Sequence, residues 1–276
     1  GGSIMAKMII GGELVDSVSG QTYEVRNPAT GEVVDKVPKG TAKDVEQAID
    51  VAEKAFQEWS DTTPEDRGKM LTNACELIKQ KGKEIAEALT KEQGKTLFEA
   101  GLEIHHLVHG LEFYAGLASK VRGSHVPLPQ KGAYGMVVRQ PIGVCGGIVP
   151  WNFPLTLMGT KLGPALAAGN TIIIKPASTT PLATLLCVEQ IQKATYGEGK
   201  LQKTLPKGAV NVVTGPGSIV GEELLKNPRI RRIAFTGSTE VGRHVMEVAG
   251  REIKRVTLEL GGSDPMIVME DANLDL

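Results

Sequence analysis

The sequence predicts an α/β fold, a parallel sheet with helices on both faces that is preceded by a small N-terminal sheet and long helices. Two observations predict it. Apolar, strand-like runs alternate with helix-like segments through the second half of the chain, as is typical of βαβ units. The first half has turn-rich segments that alternate apolar and polar residues, followed by long apolar stripes at helical spacing.

The start of the chain shows neither a basic region nor a long apolar run. Residues 1–7, with Gly1, Gly2 and Ser3 ahead of Met5, are predicted to be an expression scar and a disordered start. Residues 8–122 are predicted to form N-terminal strands and a helical layer. The strand signals are alternating segments at 8–15 and 22–37, and the helices are expected from Thr41, from Pro64 to about Gly94 and from Thr96 to about Ser119.

Residues 123–140 predict a hairpin with extended arms at Gly123–Leu128 and Gly135–Arg139. Residues 141–276 then contain five apolar strand-like runs. These runs are Gly143–Val149, Thr171–Ile174, Ala209–Val213, Arg232–Phe235 and Val256–Leu260. The alternation predicts a Rossmann-like core whose ligand site lies at the carboxyl ends of its parallel strands.

The composition argues against several classes of partner. Apolar residues make up 41% of the chain, charged residues 23%, and the formal net charge is -1, so we expect no nucleic-acid partner and no anionic membrane surface. No uninterrupted apolar run reaches the ~18 residues of a membrane span. Cys75, Cys145 and Cys187 are far apart among apolar neighbours, which favours buried thiols in a reducing cytoplasm over a disulfide framework.

A short polar or glycine-containing motif follows each predicted strand. The motifs are Pro150-Trp151-Asn152-Phe153-Pro154, Lys175-Pro176-Ala177-Ser178, Thr214-Gly215-Pro216-Gly217, Phe235-Thr236-Gly237-Ser238-Thr239-Glu240-Val241-Gly242 and Glu259-Leu260-Gly261-Gly262. Because the carboxyl ends of parallel strands share one edge of a sheet, these motifs are expected to meet on one rim.

The residue types on that rim suit a pyrophosphate and a reacting carbonyl. Gly237 permits a tight turn, Ser238 offers a hydroxyl, and the helix that follows presents unpaired N–H groups and its positive dipole end. Lys175 adds a cation for ribose hydroxyls or phosphate, Asn152 a neutral amide donor, and Glu259 a carboxylate. Ordinary turn, helix-cap and ion-pair roles for these residues remain open on residue type alone.

From Met8 to Leu276 the sequence resembles the aldehyde dehydrogenase superfamily, because the motifs occur in that family's order and spacing. The combination of Pro-Trp-Asn-Phe-Pro, Lys-Pro-Ala, Phe-Thr-Gly-Ser and Leu-Glu-Leu-Gly-Gly-Ser is specific. The resemblance implies NAD(P)-dependent, non-acylating oxidation of an aldehyde to a carboxylic acid through a cysteine thiohemiacetal and a thioester. It implies that Asn152 donates to the oxyanion and that Glu259 activates water, a role that burial of the carboxylate would suit.

The resemblance also assigns a set of cofactor-binding residues. These are Ile148, Pro150, Trp151, Lys175, Ser178, Gly217, Gly237, Ser238, Val241, Gly242, Leu260 and Gly261. The expected cofactor is NADP or NAD. Family members that prefer NAD commonly have a glutamate in place of Ser178, which would repel a 2′-phosphate, so its absence predicts that NADP is tolerated or preferred.

The family's nucleophile belongs to a Gly-Gln-x-Cys type of segment downstream of Glu-Leu-Gly-Gly, and none of the three cysteines aligns with it. We therefore expect the catalytic-cysteine domain to be absent and this chain to be inactive alone. A non-catalytic dinucleotide-binding or assembly fragment is the alternative, and Glu259 disfavours a coenzyme-A-acylating or phosphorylating relative. The aldehyde stays unidentified, with semialdehydes among the candidates. The full-length form is expected to be a homo-oligomer that makes subunit contacts through residues 123–140.

Three histidines on the third predicted helix raise the question of a metal. His105 and His109 share one helix face and Glu112 follows them. Since no adjacent cysteine or third matched ligand accompanies them, the sequence predicts no metal site.

Overall fold

A computed structural model describes residues 6–275 and has the α/β architecture expected from the sequence. The strands are β1 (Met8–Ile10), β2 (Glu13–Val15), β3 (Thr22–Arg26), β4 (Val33–Pro38), β5 (Ser124–Pro127), β6 (Tyr134–Val137), β7 (Val144–Ile148), β8 (Thr171–Lys175), β9 (Thr195–Tyr196), β10 (Lys203–Thr204), β11 (Val210–Val212), β12 (Ile230–Gly237) and β13 (Arg255–Leu260). The helices are α1 (Ala42–Asp61), α2 (Pro64–Gln80), α3 (Gly82–Gln93), α4 (Leu97–Leu117), α5 (Pro154–Ala167), α6 (Leu182–Gln192), α7 (Glu222–Lys226) and α8 (Thr239–Arg251).

The central sheet has seven strands in the order β13-β12-β7-β8-β11-β1-β2. The first five are parallel to one another, and their carboxyl ends are in register. Ile148 of β7 lies opposite both Phe235 of β12 and Lys175 of β8, while Thr236 lies opposite Glu259 of β13. The loops after these strands therefore leave the sheet along one edge, as the sequence predicts.

Helices cover both faces of the sheet. Ile172 and Ile174 of β8 pack into a core shared with α2 to α6, whereas the intervening Ile173 packs with α1, α7 and α8. Every residue of β8 is buried, because a strand between two helical layers has no solvent face. This explains the continuous apolar run at that position.

The N-terminal strands divide between two sheets. Only β3 and β4 form the separate small sheet that the sequence predicts. β1 instead pairs antiparallel with β11 and carries β2 as the sheet edge. The side-chain oxygen of Asn211 accepts a hydrogen bond from the Gly11 N–H at 2.9 Å, and all three residues of β1 are buried, which is why this hairpin joins the large sheet.

The start of the chain is packed from residue 6 onward. Ala6 contacts the core, and Lys7 pairs with Asp16. The disordered start expected at residues 1–7 therefore does not include residues 6 and 7, and its first five residues lie outside the described part of the chain.

The segment from Pro64 to about Gly94, which the sequence predicts as one helix, forms two helices in the structure, so that prediction was wrong. α2 ends at Gln80, Lys81 takes a backbone conformation (φ -96°, ψ 4°) outside the helical range, and α3 begins at Gly82. Ile78 and Ile85, on either side of the break, are both fully buried in the same core. The apolar periodicity continues across the break, so the pattern alone could not reveal it.

The β5–β6 hairpin projects from this frame. β5 and β6 pair antiparallel, from Ser124 opposite Val137 to Pro127 opposite Tyr134. Its apolar side chains are largely exposed, with Tyr134 at 74% and Met136 at 79%. Among residues 6–275, no helix has the length and apolarity required to cross a bilayer.

Candidate functional site

A cleft of about 1020 Å³ opens at the carboxyl edge of the sheet. The ends of β7, β8, β12 and β13 border it, together with the first turns of α8 and the turn at 217–221. The predicted residues that line it are Ile148, Pro150, Trp151, Asn152, Lys175, Gly217, Gly237, Ser238, Val241, Glu259, Leu260 and Gly261. Asn152, Glu259 and the Gly237 turn thus border one space.

Ser178 and Gly242 lie beside the cleft and are not part of its lining. The hydroxyl of Ser178 donates to the Gly215 carbonyl at 3.0 Å. Gly242 packs α8 against β13, since a Cβ atom at this position would collide with the side chain of Leu260. Both residues adjoin the lining, because Ser178 directly follows Ala177 and is partly exposed, and Gly242 directly follows Val241.

The N-terminus of α8 borders the cleft and offers an anion-binding site. Ser238 is its N-cap, with an extended backbone (φ -68°, ψ 152°), and its hydroxyl accepts from the Val241 N–H at 3.3 Å. The other N–H groups of the first turn have no partner within the helix, and the helix dipole adds positive potential. This arrangement suits a phosphate.

Lys175 brings a buried amine to the same edge. The residue is 5% exposed, and its Nζ donates to the Pro176 carbonyl at 2.8 Å. An ammonium group has three donors, so two remain for a ligand. Burial lowers the pKa of Lys175 to about 8, because the charged form loses its hydration.

Asn152 and Glu259 are both exposed to the cleft. Within residues 6–275 no hydrogen bond holds the Asn152 side chain, so its amide is available to a ligand. Glu259 lies on β13, an edge strand of the described sheet. The described residues therefore do not supply the burial that the sequence analysis expected around this carboxylate.

Sequence reasoning missed Lys161, which lies behind the cleft. Its Nζ donates to the Thr236 hydroxyl at 2.6 Å and to the Leu157 carbonyl at 3.2 Å. Burial lowers the pKa of Lys161 to about 8, although the nearby Glu259 charge acts in the opposite direction. The sequence did carry a sign of this role, because Lys161 is the one charged residue in the mostly apolar segment from Pro154 to Ala167.

Glu222 and His244 also line the cleft and were missed. The Nε2 atom of His244 contacts the Glu222 carboxylate, which also pairs with Lys226 at 3.0 Å. Burial tends to raise the pKa of Glu222, but the hydrogen bonds from His244 and Lys226 outweigh it and lower that pKa. Since α7 and α8 are separate in sequence, only the fold brings this pair together.

The three cysteines are buried away from this chemistry. All have free thiols. Burial raises the pKa of Cys75 and of Cys145 to about 12 and raises that of Cys187 as well. A nucleophilic cysteine needs its thiolate form, so none of these three is suited to that role.

The histidines of α4 form no metal cluster with other side chains. Among the residues that the structure describes, no group of three or more His, Cys, Asp or Glu side chains could hold an ion. The rings of His105 and His109 stack with centroids 6.5 Å apart.

Comparison with known proteins gives the family. The model of the aldehyde dehydrogenase family matches residues 14–276. The chain is 43% identical to glutarate-semialdehyde dehydrogenase of Pseudomonas putida, covering 96% of this chain and 54% of that protein. It is 41% identical to the succinate-semialdehyde dehydrogenase (NADP(+)) GabD of Escherichia coli, with 97% and 54% covered.

A solved structure has the same fold. The crystal structure of an NADP-dependent enzyme from E. coli superposes with a TM-score of 0.90 at 40% identity, and the match covers 98% of this chain and 55% of that one. The chain spans about half the length of the relatives it matches. By its matched range, its identities and its fold, the chain belongs to the aldehyde dehydrogenase family.

Proposed function

We propose that this chain is the dinucleotide-binding part of an enzyme that oxidises an aldehyde to a carboxylic acid with NADP or NAD. One observation carries the proposal. A single cleft is bordered by an anion-binding helix start, by the buried amine of Lys175, and by an amide and a carboxylate at Asn152 and Glu259. A semialdehyde is the proposed substrate class, since two of the relatives are named for semialdehydes.

The residues fit a nicotinamide dinucleotide. The start of α8, at Gly237 and Ser238, suits the pyrophosphate, and the two remaining donors of Lys175 suit ribose hydroxyls or a phosphate. When bound, the cofactor accepts a hydride from the substrate carbon. The other proposed cofactor contacts are Ile148, Pro150, Trp151, Gly217, Val241, Leu260 and Gly261, with Ser178 and Gly242 shaping the wall.

Asn152 and Glu259 have distinct proposed roles. The Asn152 amide donates a hydrogen bond to the oxyanion that forms when a thiolate adds to the aldehyde, and this stabilises the charge where it develops. Glu259 takes a proton from the water that releases the acid from its thioester. The thiolate itself is proposed to come from a cysteine outside this sequence, because the three present here are buried and have raised pKa values.

We propose that the site binds NADP more tightly than NAD. Ser178 is uncharged, so no carboxylate at this position repels a 2′-phosphate. Ser178→Glu should lower the affinity for NADP at least about tenfold and leave that for NAD within about threefold, because the added charge opposes only the 2′-phosphate. Ser178→Gln is the matched neutral control. Equal effects on both cofactors would refute this assignment.

Fluorescence titration of this chain tests the proposal directly. Of the two tryptophans, Trp59 is fully buried and Trp151 is 59% exposed on the cleft. NADP or NAD should change the emission of Trp151 with saturable binding, and Trp151→Phe should remove the signal without removing binding measured by calorimetry. The proposal fails if neither dinucleotide binds. A non-catalytic dinucleotide-binding fragment, favoured by the burial of all three thiols, predicts the same binding and no turnover.

The chain divides into three proposed parts. We propose residues 8–122 as the strands and helical layer of the cofactor domain, 123–140 as an arm for subunit contacts in a homo-oligomer, and 141–276 as the dinucleotide-binding core. The exposed apolar residues Tyr134 and Met136 support the arm. A cytoplasmic location is proposed from the three free thiols.

A further inference from the structure

The loop that carries Asn152 has few stabilising contacts of its own. Phe153 is the N-cap residue of α5, and no side chain of the loop caps that helix. Among residues 6–275 the Asn152 side chain has no hydrogen-bond partner, so its direction depends on where its backbone is held. Contacts from outside the loop must fix that backbone.

Lys95 holds the loop at Asn152 and Phe153. Its Nζ donates to the main-chain carbonyl of Asn152 at 3.0 Å and lies 4.3 Å from the centre of the Phe153 ring. The same amine pairs with Glu103, and the side chains of the pair are 8% and 1% exposed. A buried pair is screened less than a pair on the surface, so the attraction between the two charges is stronger.

Glu103 holds the first turn of α5, directly after the loop. One of its oxygens accepts from the N–H groups of Leu155 at 2.8 Å and Thr156 at 3.2 Å, and the other pairs with Lys95. Glu103 therefore supplies the cap that α5 lacks in its own sequence. Lys95 thus fixes the loop at Asn152 itself, and Glu103 fixes the chain three residues later.

The anchors belong to a rigid part of the fold. Lys95 directly precedes Thr96, which with Glu99 forms a capping box at the start of α4. Gly94 before it has φ +95°, and a Cβ atom there would come within 2.7 Å of Pro28. Both ends of the short link between α3 and α4 are thus fixed.

We infer that Lys95 and Glu103 are positioning residues, which aim the Asn152 amide and the Trp151 ring at the reacting end of the cleft. This inference rests on the proposed function, and it assigns a role to two residues that do not line the cleft. The pair connects α4 to the loop that carries Asn152, so a displacement of α4 would also displace that loop.

Three variants test the inference. Lys95→Met removes the cation and keeps the length of the side chain. The double variant K95M/E103Q removes both charges, so it leaves no unpaired buried carboxylate and carries the test if Lys95→Met folds poorly. Lys79→Met is the control, because Lys79 pairs with Glu76 and Glu112 on the surface and does not contact the loop.

Proton–nitrogen correlation spectra give the first measurement. In both loop variants the indole signal of Trp151 and the side-chain amide signal of Asn152 should shift or broaden, while the indole signal of the buried Trp59 stays in place. The Lys79→Met spectrum should match the wild type at all three signals. Unchanged Trp151 and Asn152 signals in a destabilised Lys95→Met would mean that the pair serves stability only.

Binding gives the second measurement. Affinity for NADP should fall about fivefold in K95M/E103Q, the loss expected for one net hydrogen bond. Affinity for 2′-phospho-ADP-ribose, which lacks only the nicotinamide, should stay within about twofold of wild type. Equal losses for both ligands would overturn the inference. Failure of the wild type to bind either ligand would instead overturn the proposed function.

Discussion

Raising the pH from about 7 to about 9 is expected to weaken dinucleotide binding about tenfold, because Lys175 loses its proton. Burial lowers the pKa of this amine to about 8. By that value, about 90% of the ligand-free protein carries the charge at pH 7 and about 10% at pH 9. A bound phosphate or ribose favours the ammonium form, so the dinucleotide must select the protonated fraction.

Calorimetry in buffers of different ionisation enthalpy measures this linkage. About 0.9 proton should be taken up per dinucleotide at pH 9 and about 0.1 at pH 7, if the bound amine returns to its ordinary pKa. Lys175→Arg keeps its charge at both pH values and should show neither the loss of affinity nor the proton uptake. Lys161 has a similarly lowered pKa but does not line the cleft, so Lys161→Met should keep the wild-type dependence. The reasoning about Lys175 is wrong if wild-type affinity is level over this range, or if Lys161→Met abolishes the dependence.

Three further outcomes follow from the geometry. Ser238→Ala removes the N-cap of α8, so it should lower the free energy of unfolding by about 1 kcal/mol in urea titrations and weaken NADP binding. Ser238→Thr should retain the stability and the binding. If Ser238→Ala left NADP affinity unchanged, that would count against a phosphate site at the start of α8. Gly242→Ala brings a methyl group against the terminal methyl groups of Leu260, which is 40% exposed and can move aside. Since alanine favours a helix over glycine by about 1 kcal/mol, urea titrations should show a loss of stability below about 1 kcal/mol, and a larger loss would show that Leu260 is held in place. Burial raises the pKa of Glu92 to about 8 from an ordinary 4.5, so the folded state keeps a proton that the unfolded state has lost, and stability should fall as the pH rises between these values. Glu92→Gln should flatten that fall, and urea titrations at about pH 5 and pH 8 decide whether it does.

Much of the site could be predicted from the sequence, because strand ends in a βαβ sheet share one edge. The continuous apolar runs at β7 and β8 marked the central strands, and the motifs after them marked the rim. Once the strands are parallel and in register, Asn152 and Glu259 must lie near the same edge. No contact between distant side chains had to be known for that inference.

The partners of two buried carboxylates, Glu92 and Glu103, could not be predicted in this way, because each accepts from a helix start that is distant in sequence. Glu103 pairs with Lys95 and also caps α5, which starts about fifty residues later. Glu92 likewise accepts from the N–H groups of Leu182 and Ala183 at the start of α6. A pattern did exist, since Glu92 and Glu103 each occupy an apolar stripe of their helix, where an acidic residue needs a partner.

The β1–β2 hairpin shows a different limit. The apolar residues at Met8–Ile10 predict a strand, but the pattern does not show which strand it pairs with. The large sheet offers β11 and the Asn211 side chain, and tertiary pairing decided between two possible sheets.

A crystal structure of this chain with NADP is the most direct test of the central claim, that one cleft at the carboxyl edge of the sheet binds a dinucleotide. The pyrophosphate should lie against the first turn of α8 at Ser238, a ribose or phosphate oxygen should contact Nζ of Lys175, and the nicotinamide should lie between Asn152 and Glu259. A dinucleotide bound elsewhere, or one whose nicotinamide lies away from both of these side chains, would contradict the account.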